Sequence, residues 1–266
     1  MYSVFFHAHQ KLNRVAHRHL KALVESDVYF PKLKGIQYFE GQRGPDSTNL
    51  KNNVFVEQPW HFIDPFNVED TKLFELIEAH YVELVKALKG KDDFRSAYEA
   101  SWLAHAVVDG LTPAHHYPYE EKMEELRGGE TRHSRKGLVG WMYVKGDSRR
   151  DSIKRSLQLI GPKGLLTTHT LFEAGAFTII APLRLSDAKP TREELKNVRA
   201  HGIREIFSRY AKEVASHDLY RRFYKQGWTP RLTRDVRREM APRMVNIITL
   251  SWYSALCDAG LLAEPL

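Results

Sequence analysis

Apolar residues recur at helical spacing along most of this chain, and no stretch alternates convincingly enough to read as a strand. Leu73, Leu76, Ile77, Tyr81, Leu84, Val85 and Leu88 follow that spacing and predict an amphipathic helix over residues 69–89. Similar spacing predicts helices over residues 9–25 and 150–159. Another runs from about 94 to 110 and stops before Thr112-Pro113, because proline cannot continue a helix interior. Residues 166–182 are apolar and partly helical. Thr191 with Glu194 three positions on forms a capping box that opens a helix to about residue 216. The last long helix is expected from Thr229-Pro230 to near Gly260. Its most apolar run is interrupted by Asn246, Ser251 and Ser254, so it reads as a core helix and not as a membrane span. Residues 26–67, rich in Gly, Pro, Asn and Asp, are expected to be irregular. The expectation is an all-α single domain over residues 1–266, with a basic, insertion-like segment at about 120–163.

Composition narrows the chemistry. The charged fraction of 27% and aromatic fraction of 11% argue against global disorder. Cys257 stands alone, so an internal disulfide and a CxxC zinc motif are both excluded. Any metal must be held by His, Asp and Glu, and the chain has 13 histidines. A net charge of +7 favours anionic partners, whether nucleic acid, an anionic lipid surface or phosphorylated substrates. The first residues lack the basic and apolar runs of a secretory signal, which points to the cytoplasm unless the start is already processed.

His105 and Asp109 are four apart in the run Trp102-Leu103-Ala104-His105-Ala106-Val107-Val108-Asp109, and on a helix they share a face. An aspartate in such apolar company needs a partner or a cation, because burying a bare carboxylate is costly. A simple His–Asp hydrogen bond and a shared metal both satisfy that need. His169 and Glu173 repeat the spacing, and His115 and His116 flank the end of the first pair's helix. Imidazole and carboxylate together suit zinc. His61 and Asp64 in Trp60-His61-Phe62-Ile63-Asp64, Asp46 in Gly44-Pro45-Asp46, and the pair His7 and His9 add further candidate ligands. His17, His19 and His80 read as structural or exposed.

Taken together these motifs resemble the zinc-dependent phospholipase C and single-strand nuclease superfamily. The resemblance runs from about residue 7 to 175. His105-x3-Asp109-x5-His115 matches the central H-x3-D-x5-H spacing, and this spacing selects His115 over His116. His61-Phe62-Ile63-Asp64 is similar to the HFID string of the nuclease branch, and Asp46 lies fifteen positions before it. His169-x3-Glu173 is more like the phospholipase branch. The resemblance implies an all-α fold of that type and two to three zinc ions. One zinc would be held by Asp46, His61, His105 and Asp109, and a second by His115, His169 and Glu173. A third would share Asp109 and take His9. Family members complete that third site with an N-terminal tryptophan, which this sequence lacks, and His7 is the residue offered in its place. Asp46 and Asp109 are the expected catalytic carboxylates.

The function implied is phosphodiester hydrolysis, of a phospholipid or alternatively of single-stranded nucleic acid. The segment between His115 and His169 is longer than in the family and carries Lys136, Lys145, Arg149, Arg150, Lys154 and Arg155, either a substrate grip or a solvated surface. A different class of function is open as well. Arg234, Arg237 and Arg238 fall on one predicted helix face, so a nucleic-acid-binding helical protein with structural metal is the alternative to an enzyme.

Overall fold

In the computed structural model, the structure describes residues 3–41, 44–45, 60–130 and 142–263, with side chains from Ala8 onward. Asp46 and the side chain of His7 lie outside the described residues. Within them the fold is all-helical, with no strand.

The centre is a long helical run from Pro230 to Asp258. It comprises α10 (Pro230–Asp235), a π turn (Val236–Met240) and α11 (Ala241–Asp258). The π turn has a local cause. Pro242 lies in the first turn of α11 and has no N–H to donate to the turn before it, and the Ala241 N–H bonds the Val236 carbonyl five residues back. α11 is buried almost all round, as its apolar run predicts. Its Trp252 is fully buried, yet its indole N–H is satisfied by the Ala100 carbonyl at 3.0 Å.

Four helices surround this core helix: α1 (Ser3–Lys21), α3 (Lys72–Lys89), α4 (Asp93–Asp109) and α8 (Arg192–Ser216). α3 and α4 form an antiparallel hairpin, and Asp92 caps α4 by accepting from the Arg95 N–H at 2.9 Å. α8 starts with the expected capping box, in which Thr191 accepts from the Glu194 N–H and the Glu194 carboxylate accepts from the Thr191 N–H. α8 also breaks at Gly202, whose φ of 79° suits glycine far better than any other residue.

The expectation of an irregular 26–67 needs correction. Leu33–Glu40 forms a short helix, α2, that buries Ile36, Phe39 and Glu40 against α4. The first helix also begins earlier than expected, so that His9 lies inside α1 and not at its start. A further short helix, α9 (Leu219–Gln226), occupies a stretch with no predicted element.

The basic segment holds α5 (Tyr119–Leu126) and α6 (Arg149–Ile160), joined to α7 (Leu165–Ile180). It has its own small core of Tyr119, Met123, Val144 and Leu159, with Phe62 and Leu165 packed against it. α7 leans on α1 and α6, which brings the face carrying His169 and Glu173 toward the turn that follows α4. No described helix is long and apolar enough to cross a membrane.

Candidate metal centre

α4 delivers His105 and Asp109 together, on one face, into the interior. The chain then turns through Gly110 into a short 3-10 turn (Pro113–His116) that carries His115. Gly110 is required there: a side chain would collide with Phe207 and Leu73. The extended stretch around His61 is pinned to this turn, with the Ile63 N–H donating to the His115 carbonyl at 3.0 Å. α1 adds His9 and α7 adds His169 and Glu173.

These residues meet as two adjoining groups, His9–His105–Asp109 and His115–His169–Glu173. In each group one ligand atom per residue lies within 4.8 Å of the others, the spacing a metal ion needs. In the first, His9 Nε2 is 3.6 Å from Asp109 Oδ1 and His105 Nε2 is 3.0 Å from Asp109 Oδ2. His61 joins through Nδ1, 2.6 Å from the same Oδ2. In the second, His115 Nε2 and His169 Nε2 converge on Glu173 Oε1 at 2.8 and 3.2 Å, with their rings stacked 5.2 Å apart. The second nitrogen of His115 faces back to Asp109 Oδ1 at 4.0 Å, so Asp109 looks into both groups.

His116 is turned away from both groups, its Nε2–H donating to the Gly110 carbonyl at 2.9 Å. Phe62 and Tyr119 stack on each other and flank His115 and His169, whereas Phe66 is exposed to solvent. His17 and His19 each engage a backbone carbonyl, and His80 bonds the buried Glu99 at 2.6 Å.

One residue of the centre was not anticipated. Glu40, at the end of α2, is 1% exposed and accepts from His105 Nδ1–H at 2.9 Å, and also from Asn13 and Ser101. Its signal was the spacing Ile36, Phe39, Glu40 after Pro31, the same carboxylate-on-an-apolar-face pattern that marks Asp109.

The electrostatics leave a place for a cation. Three buried or nearly buried carboxylates, Glu40, Asp109 and Glu173, face five imidazoles, and no Lys or Arg pairs with any of the three among the described residues. Burial pushes the Asp109 carboxyl up, but the charges of His105 and His115 and bonds from His105 and His61 outweigh it and hold it well below the usual carboxylate range. Burial likewise raises Glu173 and Glu40, and the neighbouring histidines again win. Burial lowers His115, but Asp109 and Glu173 more than reverse this.

A neutral imidazole has one N–H. His105 gives its Nδ1 proton to Glu40, so its Nε2 presents a lone pair to Asp109 unless the ring is charged or a cation lies between them. The Nδ1 atoms of His9, His115 and His169 are buried with no hydrogen-bond partner among the described residues. Oxygen and imidazole donors with unused lone pairs in a buried, negatively charged pocket fit a divalent metal. No protein-family model, curated protein or solved structure matches this chain.

Proposed function

We propose that this chain is a zinc-dependent phosphodiester hydrolase of the phospholipase C and single-strand nuclease superfamily, phospholipase C-like in substrate. The observation that carries this reading is that Asp109, a member of the first His–carboxylate group, also faces His115 of the second at 4.0 Å. Structural zinc sites favour cysteine and closed coordination, whereas paired His–carboxylate sites suit hydrolysis.

In this reading Asp46, His61, His105 and Asp109 would hold one zinc, and His115, His169 and Glu173 would hold a second. His9 and the shared Asp109, with His7 as the candidate further ligand, would hold a third. Zinc held there would acidify water, to a pKa of about 7, and would draw charge from phosphoryl oxygens. The chain's own residues orient and neutralise. Glu40 keeps the Nδ1 proton on His105 and so presents Nε2 inward. Glu173 holds the rings of His115 and His169 parallel. Asp46 is the candidate to take the proton from the attacking water. The P–O ester bond breaks as the water oxygen bonds phosphorus, and the leaving alcohol takes a proton.

Elemental analysis of the purified protein beside Asp109→Ala tests the metal. The expected result is roughly two to three zinc ions per chain, reduced in the variant. No zinc even after reconstitution would overturn the reading and favour a basic binding module built on the exposed Arg234, Arg237 and Arg238. Parallel turnover of phosphatidylcholine vesicles, single-stranded DNA and bis(4-nitrophenyl) phosphate separates the phospholipase reading from its nuclease alternative.

A further inference from the structure

Beside the second His–carboxylate group lies a cleft of about 810 Å³ that the chemistry above does not use. It is walled by α5, α6, the start of α7 and α9. Thr168, one residue before His169, and Tyr117, two after His115, both line it. The ring of Tyr220 ties the cleft to the centre's scaffold, 5.7 Å from that of Tyr117 and 5.3 Å from that of Phe172 on α7.

The charges in this cleft are unevenly committed. Lys122 pairs with Glu125 at 2.7 Å, Arg155 with Asp151 at 2.8 Å, and Arg221 with Asp218 at 2.6 Å. Lys154 and Lys163 have no carboxylate partner among the described residues, and Lys163 stands 5.5 Å over the ring of Tyr224. Two unspent ammonium groups in one depression match the charge of a single phosphate monoester, about −1.5 to −2 at pH 7. A nucleic-acid strand places single charges in a row and calls for cations spread along a path. Here the cations are gathered into one cleft, among three tyrosine rings that offer apolar faces and hydroxyl groups to a polyol.

We infer that this cleft seats a phosphate monoester carried on the headgroup of the substrate, beyond the phosphodiester that is cut. Lys154 and Lys163 pair with that phosphate, and Tyr117, Tyr220 and Tyr224 pack the polyol ring between it and the His115–His169–Glu173 group. The substrate class is then a phosphodiester with a phosphorylated polyol headgroup. This rests on the hydrolase reading for its catalytic meaning, but the binding itself is testable without turnover.

The experiment measures binding and hydrolysis on zinc-loaded protein, wild type beside Lys154→Ala/Lys163→Ala and Lys154→Arg/Lys163→Arg. Both lysines are exposed, so the variants are expected to fold and to keep the wild-type zinc content. The soluble probe is inositol 1,4,5-trisphosphate, followed by calorimetry. The lipid probe is phosphatidylcholine vesicles containing phosphatidylinositol 4,5-bisphosphate, with plain phosphatidylcholine as reference. The expected result is binding weakened at least tenfold in the alanine variant and largely kept in the arginine variant, with hydrolysis of bis(4-nitrophenyl) phosphate unchanged. Binding of both probes means the phosphorylated headgroup is recognised by itself; binding of vesicles alone means it is recognised only at a lipid surface, and either outcome supports the site. Equal binding by the alanine variant, as when the probe merely contacts zinc, would overturn it. So would displacement of the trisphosphate by a single-stranded oligonucleotide at equal concentration, which would assign the cleft to a strand. Lysine-dependent binding with no hydrolysis of any phosphodiester leaves the cleft standing and removes the catalytic reading instead.

Discussion

Glu40 fixes which nitrogen of His105 carries the proton, and it does so from a position where water cannot substitute for it. Partners that orient a metal-binding imidazole typically govern affinity by about 10- to 100-fold. Glu40→Gln is therefore expected to weaken zinc binding by about that factor while leaving the fold intact, as read by competition with a chromogenic chelator. An unchanged affinity would reduce Glu40 to a packing role. His116 gives a prediction in pH. Burial drives its pKa down to about 4, against the opposing pull of the Gly110 carbonyl. The unfolded chain takes up that proton near 6.5, so the stability held by neutral His116 is complete above that pH and drains away as pH falls toward about 4. The loss amounts to roughly 3 kcal/mol across the window. Melting curves of wild type and His116→Gln between pH 7 and 4 should converge on acidification, with the steeper fall in the wild type.

At the scale of elements, the sequence was most legible where a helix is long and one-faced. The pairs His105–Asp109 and His169–Glu173 could be read because the helix repeat places them together in apolar company. α2 escaped because it has eight residues, holds Gly35 in its first turn and follows Pro31, so its composition is that of a turn. With it went Glu40. His61 sits on an extended stretch with no periodicity, and only its neighbours in sequence marked it. The π turn at Val236–Met240 had a visible cause in Pro242, but the predicted single helix ran straight through it. A further dependence was invisible in one dimension. Gly175, two residues after Glu173, leaves room for the indole of Trp228, into which any Cβ would project. Gly175→Ala should cost about 1–3 kcal/mol of stability through overpacking. By tilting α7 it should also lower zinc content in the His115–His169–Glu173 group. Thr191→Ala removes a cap far from the centre and is expected to cost about 1 kcal/mol with zinc content unchanged. The contrast between the two variants separates local disturbance of α7 from general destabilisation.

For the whole molecule, the described helices outside the basic segment share one apolar core while that segment packs on a smaller one of its own. The carboxylates of the centre face that large core with imidazoles, and no Lys or Arg among the described residues, to neutralise them. Chelation of zinc should accordingly lower the melting temperature, by an amount that grows with the ratio of free zinc to its dissociation constant. Helical circular dichroism should change little, because α11 and its neighbours bury their apolar faces independently of the centre. A melting temperature indifferent to chelator would mean that the charges are balanced by protons alone.

The ligand-bearing residues come from α1, the loop after α2, α4, the turn beyond it and α7, segments far apart along the chain. An ion held among them would act as a clasp that closes long loops of backbone. Closing a longer loop costs only slightly more entropy than a shorter one, about 0.6 kcal/mol for each doubling. No early fragment of the chain contains the whole clasp. His9 must wait for α4, and His115 must wait for α7, before either has its partners. Metal uptake by a growing or refolding chain would thus be a late event, and the moment it occurred would mark the completion of the tertiary structure.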